Sequence, residues 1–319
     1  MNNPVLDALL GMAVGDALGL PFYLTSRDEL KNHKITGLVG FGYHNLPPGT
    51  WSDNVSLALA MAQVLADDYD INLIAQAFVN WLNDKHWAAA EEFAPIFQNS
   101  ITVKAIKRLA QGESPFRSGI NSDFVDNSSL HRILPLAFYL IDKPIELRYI
   151  LTKENTEITH ANPLSTLINF YYLEFIRKLL LGNNAMSAYF DLQETLPIFF
   201  KRMNIDPELT EYFWRLIYRN IWDYPEQEIF STQEAISTLE AALWSIFQTN
   251  SFIEAVLTAV NLGGDTAALG AVTGSIAGII YSSNNIPKDW VDGLAKKDQI
   301  QKLADRIYAK YFHNIKIPY

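Results

Sequence analysis

The sequence of 319 residues predicts an all-α protein, and three observations carry this prediction. Apolar residues recur at helical spacing through most of the chain. The segments between these runs are short and rich in Gly, Pro, Asn or Asp, and no long run shows the alternation typical of strands. Because no linker, low-complexity stretch or internal repeat divides the chain, we expect one domain spanning residues 1–319.

Each predicted helix begins near a capping or turn residue and continues as an apolar stripe. Ser52, for example, precedes a stripe formed by Leu57, Met61 and Leu65. A glycine-rich segment, 36–43, predicts a loop, and the polar segment 112–127 predicts either a binding loop or a surface connection. The predicted helices cover residues 5–18, 52–65, 71–81, 100–110, 130–140, 163–181, 187–203, 232–248, 252–262 and 267–280.

Composition excludes several classes of protein. Hydrophobic residues make up 49% and charged residues 19%, which is enough to bury a large core. A net charge of −10 argues against a nucleic-acid partner, because a basic face is needed to displace counterions from phosphates. The absence of cysteine excludes disulfides, zinc–thiolate sites and cysteine nucleophiles.

Localisation is predicted to be cytoplasmic, with no membrane partner. The first residues lack the basic stretch of a signal peptide. The apolar segment 267–281 is shorter than a membrane span, and its glycines at four-residue spacing favour close packing of a buried helix.

Two turns carry oxygen side chains of the kind that Mg²⁺ prefers. Gly263-Gly264-Asp265-Thr266 allows the backbone to bend closely and presents a carboxylate at a helix start. Ser52-Asp53-Asn54 places a hydroxyl, a carboxylate and an amide oxygen in succession at another helix start. Taken alone, the Ser52 turn is better explained as a helix cap, and the Asp265 turn could also be a glycine turn followed by a cap.

Three further segments are candidates for polar contacts. Asp16 lies beside a helix face formed by three glycines, where the simpler interpretation is a hydrogen bond to neighbouring backbone. The segments 126–132 and 159–162 offer hydrogen-bond donors and acceptors for a polar ligand. A lone histidine, such as the one at position 160, is more often structural than functional.

In this order and spacing, the segments resemble the ADP-ribosylglycohydrolase family, which includes jellyfish J1 crystallin. The resemblance rests on residues 11–24, 49–65, 128–135, 159–160, 239–244 and 261–278. It implies a single-domain, all-α orthogonal bundle. It also implies a cleft in which active members use two Mg²⁺ ions, held by five carboxylates and two threonines, to position ADP-ribose and activate a water for glycosidic cleavage.

Several positions depart from the family pattern. The segment 97–100, Phe-Gln-Asn-Ser, stands where the family has Phe-Asp-x-Gly, and residues 127–129 are Asn-Ser-Ser instead of Asn-Gly-Ser. Two of the five carboxylates remain, too few to hold two dications side by side. At the metal positions, Asp53 and Asp265 are retained, Ser52 replaces Thr, Asn54 replaces Asp, Ala267 replaces Asp, Ala268 replaces Thr and Tyr23 replaces Glu.

These departures predict either no metal or one weakly bound Mg²⁺, with Ser52, Asp53, Asn54 and Asp265 as its ligands. No catalytic residue is assigned. By the same resemblance, the predicted ligand-binding residues are Asn127, Ser128, Ser129 and His160.

Three functions follow as alternatives. The first is a family member that has lost dinuclear-Mg hydrolysis and binds ADP-ribose or a related nucleotide. The second is an active hydrolase that removes ADP-ribose from modified proteins with one metal or an altered mechanism. The third is a structural or interaction protein of the crystallin type.

Overall fold

The computed structural model describes residues 3–89 and 100–313. Helix occupies 66% of the structure and no strand occurs in these two ranges, which confirms the predicted all-α class. Within them, extended pairing is confined to two isolated bridges, Ile120 with His160 and Asp126 with Glu234.

The described α-helices follow one another along the chain with short connections. They are α1 Pro4–Gly19, α2 Arg27–Asn32, α3 Asp53–Leu65, α4 Ile71–Asp84, α5 Ile101–Ala110, α6 Ser128–Arg132, α7 Leu136–Tyr139, α8 Ile145–Glu157, α9 Pro163–Leu180, α10 Ala185–Arg202, α11 Pro207–Thr210, α12 Trp214–Ile217, α13 Ala235–Phe247, α14 Phe252–Val260, α15 Thr266–Tyr281, α16 Lys288–Asp292 and α17 Lys297–Tyr311.

The centre of the bundle is the close contact between α1 and α15, and glycines make it possible. A Cβ added at Gly274 would lie 2.1 Å from the carbonyl oxygen of Gly11, and one added at Gly15 would lie 2.0 Å from that of Gly270. Backbone therefore packs directly on backbone along this interface. The contact fixes the first turn of α15 against the end of α1.

The ten predicted helices are found, one of them divided in two, and α2, α8, α11, α12, α16 and α17 were not predicted. The helix predicted over 130–140 is divided into α6 and α7, with Pro135 between them. The sequence analysis missed α8, which buries polar residues such as Thr152 and Asn155 instead of an apolar stripe. It also missed α17, a charged helix whose buried stripe begins at Ile300.

Two further segments bear on the predictions made from sequence. Residues 36–43 contain neither helix nor strand, as predicted for a glycine-rich loop. Pro4–Phe22 is long and apolar enough to cross a membrane by length and composition alone, but 83% of that window is buried in the bundle. Such burial is typical of a core helix in a globular protein.

Candidate functional site

A cleft of about 450 Å³ opens where the N-terminal ends of α3, α5, α6 and α15 converge. The loop that precedes α6 forms one wall, so at least its last residues are part of the cleft. The lining residues are Tyr23, Asp53, Asn54, Trp81, Ser100, Ile101, Thr102, Val103, Phe124, Asp126, Asn127, Ser128, Gln233, Asp265 and Ala267. The predicted departure at Phe97, Gln98 and Asn99 lies outside the described residues.

The start of α3 brings Asp53 and Asn54 to the cleft wall, but Ser52 lies behind them. The Ser52 backbone N–H donates to Asp16 Oδ1 at 2.7 Å, and its hydroxyl donates to Asp16 Oδ2 at 2.7 Å. Ser52 is fully buried and does not line the cleft, because its hydroxyl is used to fix the turn. The structure therefore places Ser52 apart from the other three predicted metal ligands.

Asp16 has more than the backbone bond expected from sequence, because it also accepts the Ser52 hydroxyl. Burial raises the pKa of Asp16 to about 7, even though both hydrogen bonds from Ser52 favour the carboxylate. Asp16 thus positions the α3 turn from inside the core.

The second predicted turn places Asp265 in the cleft and also makes it the cap of α15. Gly263 and Gly264 have φ of 75° and 67°, and a Cβ at Gly264 would lie 1.8 Å from the Ser231 carbonyl oxygen. The Asp265 carboxylate accepts Asn127 Nδ2–H at 3.0 Å and the Ala268 N–H at 3.3 Å. The cap and the cleft carboxylate are therefore the same residue.

Burial also raises the pKa of Asp265, to about 6, against the opposing effect of the hydrogen bonds from Asn127 and Ala268. Thr266 anchors the same turn, because its hydroxyl donates to the Gly19 carbonyl oxygen at 2.7 Å. Next to it, Ala267 contributes a methyl group to the cleft wall. The Asp265 turn is therefore fixed by the backbone of α1.

A third carboxylate, Asp126, also lines the cleft; it belongs to the predicted polar segment 126–132 but was not assigned as a metal or ligand-binding residue. His160 Nε2 lies 3.0 Å from Asp126 Oδ1, and Ser128 binds the same oxygen through its N–H at 2.9 Å and through its hydroxyl. Burial acts to raise the pKa of Asp126, but His160 and Ser128 outweigh it and lower the pKa to about 2. The available sequence signal was its place directly before Asn127.

His160 lies behind this part of the cleft wall and holds it in place. It is 2% exposed, its Nε2 is also 3.2 Å from the Ser128 hydroxyl, and its Nδ1 is 2.7 Å from Thr159 Oγ1. Arg132, fully buried, donates to that Thr159 oxygen in turn. The structure gives His160 a supporting position and does not place it on the cleft wall.

Asn127 and Ser128 both line the cleft, as predicted for ligand-binding residues, whereas Ser129 faces the core. The Ser129 hydroxyl accepts a hydrogen bond from Asn169 Nδ2 at 3.1 Å, and the side chain is fully buried. Successive residues of a helix point about 100° apart, and the bond with Asn169 holds Ser129 on the side away from the cleft. The assignment of Ser129 to the ligand-contacting wall is therefore corrected.

Tyr23 occupies the end of the cleft nearest to Asp265. Its hydroxyl accepts a hydrogen bond from Gln233 Nε2, and its ring contacts those of Tyr43 and His44 at centroid distances of 5.3 and 5.4 Å. Burial, assisted by the nearby Asp265, raises the pKa of Tyr23 to about 12. Tyr23 is therefore a poor general base near neutral pH.

The donor set of the cleft suits at most one hard cation. In residues 3–89 and 100–313, no three His, Asp or Glu side chains form a group that could hold a metal. Asp53, Asp265 and the amide of Asn54 line one cavity, and Mg²⁺ commonly binds through one or two carboxylates plus waters. Two adjacent Mg²⁺ ions, bearing four positive charges, do not fit these ligands.

Comparison with known proteins agrees with this architecture. The family model described as ADP-ribosylglycohydrolase matches residues 2–315. The chain belongs to the ADP-ribosylglycohydrolase family. A solved structure from an ADP-ribosylglycohydrolase-related protein complex superposes with a TM-score of 0.78 at 27% identity, covering 96% of this chain and 97% of the other.

Two relatives within the ADP-ribosylglycohydrolase family have described activities. An ADP-ribosylarginine hydrolase from Serratia proteamaculans is 29% identical over 307 residues, which cover 94% of this chain and 78% of the relative. The ADP-ribosyl-dinitrogen reductase glycohydrolase of Rhodospirillum rubrum is 25% identical, with 97% of both chains covered. Their names give ADP-ribosylarginine and ADP-ribosyl-dinitrogen reductase as what they act on.

Proposed function

We propose that this family member binds an ADP-ribose-type ligand in the cleft and has lost dinuclear-Mg hydrolysis. One observation carries the proposal. The cleft keeps Asp53 and Asp265 on its wall, but presents the Asn54 amide and the Ala267 methyl where the family pattern has carboxylates.

The loss of anionic ligands bears on the metal more than on the fold. Asp265 caps α15 and Asp16 fixes the start of α3, so both turns keep their shape without a bound ion. Two dications in this cavity would repel each other, and its three carboxylates, Asp53, Asp126 and Asp265, fall short of the five in the family pattern. A single Mg²⁺ shared with the diphosphate of a ligand is the arrangement that these residues support.

Recognition of the ligand rests on the polar residues Asp126, Asn127 and Ser128 beside the Asp265 turn. Asp126, held ionised by its contacts with His160 and Ser128, supplies acceptors suited to ribose hydroxyls. Asn127 is fixed by hydrogen bonds to Thr238 at 2.9 Å and to Asp265. Because these residues are already hydrogen-bonded, little ordering is needed when a ligand binds.

Hydrolysis with one metal is the second candidate, and a specific observation favours it. Asp53 and Asp265 face the same cavity, and the relatives from Serratia and Rhodospirillum are named as hydrolases of ADP-ribosylated groups. A single Mg²⁺ at these carboxylates would act as a Lewis acid on the ligand. Tyr23 would not replace a carboxylate base, since its pKa is raised to about 12.

Thermal-shift titration with ADP-ribose, with and without Mg²⁺, tests binding, because a ligand selective for the folded state raises the unfolding midpoint. We expect a shift that grows when both are present. Incubation with ADP-ribosylated arginine peptides should release no ADP-ribose above the rate of an Asp53→Ala, Asp265→Ala control. Absence of any shift at millimolar ADP-ribose contradicts the proposal, and Mg²⁺-dependent release favours the hydrolase.

A further inference from the structure

A group of exposed apolar side chains, here called the rim, lies beside the cleft. It consists of five large hydrophobic residues, each about half or more exposed: Leu24, Phe41, Tyr43, Phe124 and Phe230. Exposed apolar residues scattered singly on a surface carry no meaning, but a group of them around a binding site marks an interaction surface.

Three members of the rim lie near Tyr23 in the chain or in the fold. Leu24 follows Tyr23 directly, and its N–H donates to the Gly264 carbonyl oxygen at 2.8 Å. Tyr43 packs edge-on against the Tyr23 ring, while its N–H donates to Pro21 at 2.8 Å. Phe41 lies two residues earlier on the same loop.

The other two members lie near Asp126 and near the Asp265 turn, respectively. Phe124 lines the cleft itself. Phe230 lies between Ile229, whose carbonyl oxygen accepts a bond from Arg27, and Ser231, whose carbonyl oxygen accepts the Asp265 N–H at 3.4 Å. Its backbone is therefore tied to the Asp265 turn, although its ring is 58% exposed.

We propose that this rim is a docking surface for the folded protein that carries the ADP-ribosylated side chain, an inference that rests on the proposed function. An ADP-ribose group seated in the cleft remains covalently linked to its protein, so that protein must lie over the mouth. The aromatic character of the rim suits this partner, because aromatic side chains dominate the binding energy of protein interfaces.

The part of the rim that lies outside the cavity has little to offer a free nucleotide. Leu24 and Phe230 do not line the cavity, so they gain contacts only when the ligand carries a protein. The rim should therefore strengthen the binding of an ADP-ribosylated protein and leave the binding of a small ADP-ribosyl conjugate unchanged.

The test compares two probes in Mg²⁺-free buffer, ADP-ribosylarginine and a small folded protein with one ADP-ribosylated arginine. The chain should bind the protein probe about tenfold more tightly. The double variant Leu24→Asn, Phe230→Ser should lose that advantage and bind ADP-ribosylarginine like the unaltered chain. Asn tolerates the left-handed backbone at position 24, where φ is 61°.

The control is Ile198→Ser, which removes a 69% exposed side chain from α10, an element that does not line the cleft. It should leave binding of both probes unchanged, and thermal midpoints of all variants confirm folding. Equal affinity for the two probes, or a rim variant that keeps the advantage, overturns the docking surface while leaving the proposed function intact. Failure of ADP-ribosylarginine to bind, while the protein probe binds and depends on the rim, overturns the proposed function alone. Failure of both probes overturns both.

Discussion

Restoring carboxylates to the cleft should create a magnesium-dependent gain in stability. The variant Asn54→Asp, Ala267→Asp raises the number of carboxylates on the metal side of the cavity from the two of Asp53 and Asp265 to four. Without metal, the added charges should raise the pKa of Asp265 further above its present value of about 6. One further unit corresponds to about 1.4 kcal/mol of lost stability at neutral pH.

Magnesium should reverse this loss. A ligand at 100 times its Kd stabilises the folded state by about 2.7 kcal/mol. A chain of 319 residues unfolds with an entropy of roughly 0.7 kcal/mol/K, so the midpoint should rise by about 4 °C. The unaltered chain, with one weak site near half saturation, should gain about 0.4 kcal/mol, or less than about 1 °C.

Differential scanning fluorimetry across a MgCl₂ series measures both effects. The matched control is the single variant Ala267→Asn, which keeps Asn54 and adds at position 267 a side chain of the same size as Asp but without charge. If the unaltered chain shifts as far as the restored variant, the shortage of anionic ligands does not limit metal binding. If the restored variant does not respond to Mg²⁺ at all, the assignment of these positions is wrong.

Three further outcomes are expected from single substitutions. Burial raises the folded-state pKa of Asp16 from 3.8 to about 7, so the free energy of unfolding falls as the pH rises through that range. Asp16→Asn should therefore raise the free energy of unfolding at pH 8 by on the order of 3 kcal/mol and give no gain at pH 4. Urea unfolding at the two pH values measures both. Gly274→Ala should destabilise the fold by about 3 kcal/mol, because its Cβ would lie 2.1 Å from the Gly11 carbonyl oxygen. Gly37→Ala should be nearly neutral in the same assay, because the nearest atom to its Cβ would be Trp290 Nε1 at 3.5 Å. Asn127→Leu removes a donor to Asp265 and should weaken ADP-ribose binding about tenfold by calorimetry without unfolding the chain; an unchanged affinity would exclude Asn127 from the site.

The helical class was predictable because the apolar periodicity of most elements is strong. α8 was not, because its buried face carries side chains such as Thr152, whose hydroxyl donates to the Arg148 carbonyl oxygen at 2.7 Å. Arg148 in turn forms a buried ion pair with Glu174 on α9. Such a face has no apolar period, and only the partner helix reveals that it is buried.

Most of the segments that form the candidate site were also predictable from the sequence. Which of their side chains face the cleft was not. Ser128 and Ser129 are adjacent in sequence but their side chains point in different directions from the helix. The Ser52 hydroxyl points into the core because it binds Asp16, a residue 36 positions away. The contact between Asp126 and His160 spans 34 positions and carried no local signal. Long-range pairings of this kind require the tertiary fold.

The glycine contact between α1 and α15 has a consequence for how this protein can change over time. The Thr266 hydroxyl anchors the Asp265 turn to the Gly19 carbonyl oxygen, so the side chains at positions 267 and 268 make no hydrogen bond that holds this turn. Alanine is the residue that a helix accepts most readily there. Metal-binding side chains at these positions can therefore be lost or regained by substitution while the helical scaffold stays the same. The metal chemistry and the fold can thus evolve separately.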